Sequence, residues 1–138
     1  MQVLDFDQSP WYILTMTPSA TAEFQRQFFA QHPAAESVMA LFDALPQTYF
    51  YAKDRDSRFV RVNQLFLENH GLSCEAEALG KTDRDFHPPL MAQAYIEEDR
   101  RVMRSRRPLP GQIWLVLHRR RFPRWYVSTK TPLLNSDG

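Results

Sequence analysis

The pattern of hydrophobic and polar positions changes along the chain from a helical period to a strand period. Before residue 46 the apolar positions recur every three or four residues, which predicts helices from Thr21 to about Gln31 and from Glu36 to Leu45. The first helix carries three phenylalanines at helical spacing: Phe24, Phe28 and Phe29. This cluster is rich for so short a helix, so we expect it to pair with a second subunit.

From residue 48 onward, four segments carry the β-branched and aromatic residues typical of strands. Thr48–Lys53 and Arg58–Val62 are joined by a short polar turn, and Gln112–His118 and Arg124–Thr131 by a basic one. Neighbouring strands joined by tight turns pair antiparallel. We therefore expect the four segments to form one antiparallel sheet.

Helix signals separate the two pairs of strands. Asn63 is a good N-cap for a helix over Gln64–Asn69, and Gly71 can end that helix in the left-handed conformation. A longer helix is predicted from Pro88 to about Ser105, because proline fits the first turn of a helix. The order of strands, short helices, a long helix and further strands predicts an α+β domain.

Composition and charge exclude several classes of protein. The 138 residues are 43% hydrophobic and suit one globular domain, and a formal net charge of +1 gives no general basic field for nucleic acid. One cysteine, Cys74, rules out an intrachain disulfide. No apolar run approaches the ~20 residues of a membrane span, and the first residues lack a secretory signal, so we expect a cytoplasmic protein.

Signatures of catalysis are missing from the sequence. There is no G-x-S-x-G turn, no glycine-rich phosphate loop, no H-E-x-x-H pair and no Cys/His metal spacing. Four glycines cannot build a glycine-rich cradle, and the four histidines are scattered. We therefore expect neither catalytic residues nor a metal site.

Four stretches of sequence carry a resemblance to a known family. They are LFDALPQTYFYAKDRDSRFVRVN, LGKTDRDFHPP, EEDRRVM and RWYVSTKTPLLNSDG, in that order. Together they resemble the PAS domain family over residues 36–138, with residues 1–35 as an N-terminal extension that contains the amphipathic helix. The resemblance implies an antiparallel sheet of normally five strands with short helices on one face. The form with GKTD and a Pro-led helix is similar to sensor domains at the N-terminus of bacterial transcription regulators and histidine kinases.

The fifth strand of such a sheet would follow the turn Asn135–Gly138 and lie centrally, but the pattern supplies four strands. An empty central position would leave two strand edges unpaired. Three sources are open: the chain beyond Gly138, the apolar segment Trp11–Met16, or a partner subunit. We favour a domain truncated before its final strand, with a DNA-binding or kinase output domain further along a longer parent chain.

The resemblance also bears on cofactors. Flavin-binding members that sense light carry a cysteine where this chain has Asp83, so flavin photochemistry is not expected. The resemblance implies instead that Asp83 and Asp85 fix their loop by accepting backbone N–H bonds. Haem-binding members use an axial histidine on the long helix. Here only His87, just before that helix, could serve, which leaves a haem-dependent gas sensor as an alternative.

A ligand pocket would lie where the sheet meets the helices. The candidate pocket residues are Phe50, Phe66, Phe86, Tyr95, Trp114, His118 and Trp125. A solid core without a ligand explains these aromatic residues equally well, and His118 could simply be solvated beside the arginines that follow it.

The sequence as a whole predicts a non-catalytic module for signal sensing and dimerisation. We expect it to bind a small molecule or cofactor, of unknown identity, and to regulate an attached output domain, with a transcription regulator favoured. We expect a homodimer that contacts neither membrane nor nucleic acid directly. The alternative is a structural dimerisation module without a ligand.

Overall fold

The structure, a computed structural model, describes residues 18–45, 47–118 and 121–134, without the side chains of residues 18, 117, 118 and 121. Within these ranges the helices are α1 Pro18–Gln31, α2 Pro33–Asp43, α3 Gln64–His70 and α4 Pro89–Ser105. The strands are β1 Tyr51–Lys53, β2 Phe59–Val62, β3 Leu109–His118 and β4 Arg121–Lys130. Short 3-10 turns cover Glu75–Glu77 and Asp83–Asp85. The predicted α+β class is confirmed.

The strands form two separate antiparallel hairpins. β1 pairs with β2, β3 pairs with β4, and no backbone ladder joins the two hairpins within the described part of the chain. The prediction of one sheet was therefore wrong, and the five strands that the resemblance implies are not found among these residues. The strand pattern and the turns determine how two strands that are neighbours in sequence pair. Whether two hairpins then join into one sheet depends on tertiary packing.

The β1–β2 hairpin turns around Asp54. Its Oδ1 accepts the backbone N–H groups of Asp56 and Arg58, each at 2.9 Å, and its Oδ2 accepts the Arg58 Nε–H at 2.8 Å. Ser57 takes φ +59°, the left-handed conformation that this tight turn requires. Aspartate favours such turns because its side chain satisfies backbone donors two and four residues on. The predicted polar turn is confirmed.

Two buried apolar clusters cover the β1–β2 hairpin. One brings α1 and α2 onto the strands and comprises Phe29, Met39, Ala52 and Val60. The other brings α3 onto them and comprises Phe59, Val62, Phe66, Leu67 and Ala78. Burying a Phe or Val side chain contributes about 1.5–3 kcal/mol, so these clusters supply much of the domain's stability.

The helix ends agree with the sequence in one case and differ in another. Asn63 caps α3, because its Oδ1 accepts the Phe66 N–H at 3.3 Å, and Gly71 ends the helix at φ +67°, as predicted. α1 begins at Pro18 rather than at Thr21. Thr21 is 3% exposed inside the helix, so the prediction that the helix starts at this residue was wrong. A proline also starts helices well, and here it does so one turn earlier.

Some predictions fall outside the described residues. The segment Trp11–Met16 and the turn Asn135–Gly138 are among them, so the source of a fifth strand stays a prediction. Within the N-terminal extension, α1 packs on β2, where the Gln25 Nε2–H donates to the Val60 carbonyl oxygen at 2.9 Å.

The longer hairpin, β3–β4, has two unlike faces. Its inward face carries half-buried side chains: Gln112, Trp114, Val116, Tyr126, Ser128 and Lys130. Its other face carries two apolar cross-strand pairs, Ile113–Val127 and Leu115–Trp125. These four side chains are 67%, 75%, 39% and 71% exposed, respectively. We call Ile113, Leu115, Trp125 and Val127 the outward patch.

Candidate functional site: the cleft between the hairpins

An open cleft of about 1780 Å³ lies between the two hairpins, and we call it the central cleft. β1 and β4 border it, residues of α1 and α2 line part of it, and α4 contributes Tyr95 and Asp99. Small-molecule sites commonly enclose ~300–1,000 Å³, whereas this cleft is larger in volume and open to solvent.

Lys53 of β1 is a buried cation beside the central cleft. Its side chain is 6% exposed, and its Nζ lies 2.5 Å from Asp83 Oδ2 and 2.9 Å from Asp99 Oδ2. The ring centroids of Tyr51 and Phe59 lie 5.0 and 4.9 Å from the same Nζ, within the range of cation–π attraction. A lysine is tolerated inside a domain where carboxylates and rings replace its hydration in this way.

Asp99 of α4 connects the two hairpins. Its Oδ2 accepts from Lys53 of β1, and its Oδ1 accepts from Lys130 of β4 at 2.5 Å. The Lys130 Nζ also donates to the Tyr95 carbonyl oxygen at 2.9 Å and lies 3.2 Å from Glu98 Oε2. One carboxylate therefore holds a lysine from each hairpin. We call the five groups the ionic cluster: Lys53, Asp83, Glu98, Asp99 and Lys130.

The pKa values of two aspartates in this cluster shift in opposite directions. Burial raises the pKa of Asp83, and the nearby Lys53 opposes that effect without reversing it. Burial also disfavours the charged form of Asp99, but pairing with Lys53 and Lys130 outweighs it and holds the pKa of Asp99 below its usual value. The two pKa values move apart because Asp99 contacts two lysines and Asp83 contacts one.

Aromatic rings extend along the cleft beside the charges. The Tyr49 hydroxyl and the His70 Nε2 are hydrogen-bonded at 2.7 Å. The ring of Tyr95 lies edge-on to Trp114 and to His87, with centroids 4.8 and 5.1 Å apart. Burial raises the pKa of Tyr95 to about 12, further above neutral pH than the pKa of an ordinary tyrosine.

The structure brings most of the predicted pocket residues to one place. Five of them line the central cleft: Phe50, Phe66, Tyr95, Trp114 and Trp125. Trp125 differs from the rest, because its pairing with Leu115 places it on the outward face. Phe86 packs instead against Phe66, with centroids 5.5 Å apart. The side chain of His118 is not among those described. A ligand-binding role for these residues stays a prediction.

The phenylalanines of α1 make contacts within the subunit. Phe29 is 6% exposed and packs with Met39. The ring of Phe28 lies edge-on to Phe29, and the Arg58 guanidinium lies 5.0 Å from the Phe24 ring. Pairing of α1 with a second subunit stays a prediction, and Phe29 has an intramolecular role that helical spacing alone did not reveal.

The sequence patterns missed the ionic cluster. Lys53 lies 30 residues before Asp83 and 46 before Asp99, so no local period links them. The strand alternation places Lys130 on the same face as Tyr126, and this was the one sequence feature that pointed to the cluster.

The implied role of Asp85 is confirmed, since its Oδ2 accepts the backbone N–H of Thr82 at 2.8 Å. Asp83 instead pairs with Lys53.

The residues that bear on cofactors lie apart. Cys74 is exposed, whereas Asp83 is buried in the ionic cluster. His87 packs between the rings of His70 and Tyr95, and its role as a haem ligand stays a prediction. Across the described ranges, no group of three or more His, Cys, Asp or Glu could hold a metal ion. None of the helices described here has the length and apolar character needed to cross a bilayer.

Comparison with known proteins bears directly on the fold. A family model described as PAS fold matches residues 42–138, which is well over half of the chain. A comparison with curated proteins and another with solved structures found no match. The matched region contains both hairpins, α3, α4 and the whole ionic cluster. The resemblance read from the sequence is confirmed, and the chain belongs to the PAS fold family.

Proposed function

We propose that this domain is a non-catalytic sensor that binds a small molecule in the central cleft and regulates an output domain in a longer parent chain, with a transcription regulator favoured. The observation that carries this proposal is the set of buried charges that line the cleft. A closed structural core is packed densely with apolar side chains. Here Lys53, Asp83, Asp99 and Lys130 line an open space of about 1780 Å³.

The ionic cluster offers a route from the cleft to the rest of the domain. Because Asp99 holds Lys53 and Lys130, a ligand that displaces α4 would change the spacing of β1 and β4 together. A ligand can shift an equilibrium between two arrangements only if it binds one of them better. We infer that the two states of the sensor differ in how α4 holds the two hairpins.

Mass measurement tests ligand binding without knowledge of the ligand. Protein purified from cells is expected to show, by native mass spectrometry, a mass above that of the polypeptide, and denaturation should remove the excess. The variant Ser128→Trp, which places a large side chain on the inward face of β4, should lose the added mass. Wild-type protein that carries no added mass from any preparation would contradict the proposal.

Homodimerisation is a second candidate function, which the outward patch favours. Contiguous exposed apolar surface on a domain marks interaction sites. The outward positions from Ile113 to Leu115 and from Trp125 to Thr129 carry no charged side chain. Two identical copies could therefore meet there without bringing like charges together, as the self-matching interface of a twofold dimer requires.

Sedimentation velocity separates this candidate from a monomeric sensor. The wild type is expected to sediment as a dimer, and the double substitution Trp125→Ser with Val127→Thr as a monomer. The control Leu90→Ser changes an apolar side chain that is 88% exposed at the start of α4, outside the patch, and should leave the dimer intact. A wild type that stays monomeric at every concentration measured would contradict dimerisation.

A further inference from the structure

Positive side chains outnumber negative ones in the lining of the central cleft. Two lysines, six arginines and four aspartates line it, which leaves four positive charges in excess. The chain as a whole has a formal net charge of only +1, so this excess is concentrated at the cleft. A concave surface that carries an excess of one charge attracts solutes of the opposite sign.

Every aspartate of the lining already has a basic partner. Asp83 and Asp99 hold the two buried lysines of the ionic cluster. Asp54 and Asp56 both lie against the Arg58 guanidinium, with N–O distances of 2.7 and 3.2 Å. The four carboxylates are therefore occupied by the two lysines and by one of the six arginines.

The other five arginines of the lining have no carboxylate partner within the described part of the chain. They come from the β1–β2 turn, from the second half of α4 and the residue that follows it, and from β4: Arg55, Arg100, Arg104, Arg106 and Arg124. The positive excess of the cleft therefore lies on arginines that are free to bind a solute.

Two of these arginines are placed to act on one group. Arg100 and Arg104 are four residues apart on α4, so they are neighbours on one side of the helix. The planar guanidinium group binds a carboxylate or a phosphate through two parallel N–H···O bonds. A pair of arginines at this spacing can hold a single anionic group between them.

The cleft also offers apolar surface for the remainder of a ligand. The rings of Phe42 and Phe50 both line it and stack with their centroids 4.3 Å apart. Met103, which precedes Arg104 on α4, is half-buried and lines it as well. A molecule with an apolar body and an anionic group matches this lining, whereas a cation would be repelled by the unpaired arginines.

We propose that the central cleft binds a small organic anion, whose carboxylate or phosphate group is held by Arg100 and Arg104 of α4. The other three unpaired arginines add to the attraction. Asp99, which joins the two hairpins, directly precedes Arg100 in the same helix, so an anion bound here would act on the helix that holds both lysines. This inference rests on the proposed sensing function and specifies the class of ligand.

Four probes that share one ring test the sign of the charge: phenylacetate, phenyl phosphate, 2-phenylethanol and 2-phenylethylamine. Each is titrated into the wild-type protein by isothermal titration calorimetry. Phenylacetate or phenyl phosphate should bind at least about tenfold more tightly than the alcohol, because only an anion forms charge-assisted hydrogen bonds to arginine. The amine should bind most weakly of the four. The order of the two anions identifies which oxyanion the site prefers.

A pair of double substitutions tests which arginines hold the anion. Arg100→Gln with Arg104→Gln should weaken binding of the tighter anion about tenfold and leave binding of 2-phenylethanol unchanged. Arg101→Gln with Arg107→Gln is the matched control, since it removes the same two charges from exposed positions nearby that do not line the cleft. The control should change anion binding by less than about twofold, because exposed charges outside the cleft are screened by salt.

The outcomes separate this inference from the sensing function. Binding of the alcohol or the amine as tight as that of the anions would overturn the anion site. Equal losses in the two double variants, or no binding of any probe, would overturn it too. Native mass spectrometry, which uses no probe, decides the sensing function independently. A retained molecule that proves to be neutral or cationic would uphold sensing and contradict the anion site.

Discussion

The two hairpins of this domain differ in how their strands are covered. β1 and β2 are three and four residues long, and the chain's own helices bury them, with Val60 and Phe59 at 0% and 1% exposure. β3 and β4 are ten residues each, and one face of this hairpin leaves Trp125 71% exposed. The first hairpin completes its packing within the chain, whereas the second leaves an apolar face exposed.

This difference sets a hairpin buried by the chain's own helices apart from one that carries an exposed apolar face. The β1–β2 hairpin and its two apolar clusters provide the folded framework. The β3–β4 hairpin carries the outward patch and borders the central cleft, which Trp125 and Val127 of that patch also line. We therefore expect substitutions near the first hairpin to change the free energy of unfolding, and substitutions on the second to change binding or association.

The largest expected effect comes from the core of the first hairpin. Phe66→Ala removes a ring that is 1% exposed, and should lower the free energy of unfolding by about 3–5 kcal/mol. Val127→Ala, at a position 75% exposed, should change it by less than about 0.5 kcal/mol in dilute protein. Urea denaturation measures both. Equal losses of unfolding free energy in the two variants would contradict the expected difference between the hairpins.

The ionic cluster gives a further test of the difference between the hairpins, because it contains a lysine from each of them. Lys53→Met leaves Asp83 without its lysine, and should lower the free energy of unfolding by about 3 kcal/mol, since removing one partner strands a buried charge. Hydrogen exchange should quicken in β4 as well as in β1, because Asp99 joins them. The control Lys81→Met alters a half-buried lysine that lies over the Phe86 ring. Faster exchange confined to β1 would show that the hairpins are uncoupled.

The smallest expected effect is a pH dependence of opposite sign at two aspartates. The raised pKa of Asp83 means that its contribution to stability is lost as pH rises through the folded-state pKa. The lowered pKa of Asp99 means that its contribution is present above its ordinary value and lost as pH falls through the folded-state pKa. Asparagine imitates the protonated form in each case.

Denaturation of the variants between about pH 3 and pH 7 checks this difference. Relative to the wild type, Asp83→Asn should gain stability as the pH rises, and Asp99→Asn should lose it. The exposed Asp56→Asn in the β1–β2 turn serves as the control for an aspartate outside the cluster. Slopes of the same sign for the two buried variants would mean that the second lysine does not distinguish Asp99.

Local features of the fold could be predicted from the sequence because local chemistry determines them. The cap at Asn63, the stop at Gly71 and the turn at Asp54 each depend on contacts within four residues along the chain. The start of α1 was missed because Pro18 and Thr21 both suit the beginning of a helix. The choice between them depended on packing, which buries Thr21.

The candidate site could be predicted only in its aromatic part. Large rings such as Tyr95 and Trp114 are expected inside a domain wherever it folds, so their selection required little knowledge of the tertiary structure. Buried lysines and aspartates run against that expectation. Their pairing across 30 residues or more, as in Lys53 with Asp83, becomes visible only when the strands and helices are placed.

The bridge through Asp99 also constrains how the strands can align. Side chains alternate between the two sides of a strand, so a slip of one residue in β4 would turn Lys130 away from α4 and bring a threonine in its place. The same slip in β1 would remove Lys53. Either error would leave a buried carboxylate short of a counter-ion, which is unfavourable by several kcal/mol. One side chain on a helix therefore favours the native strand alignment in both hairpins.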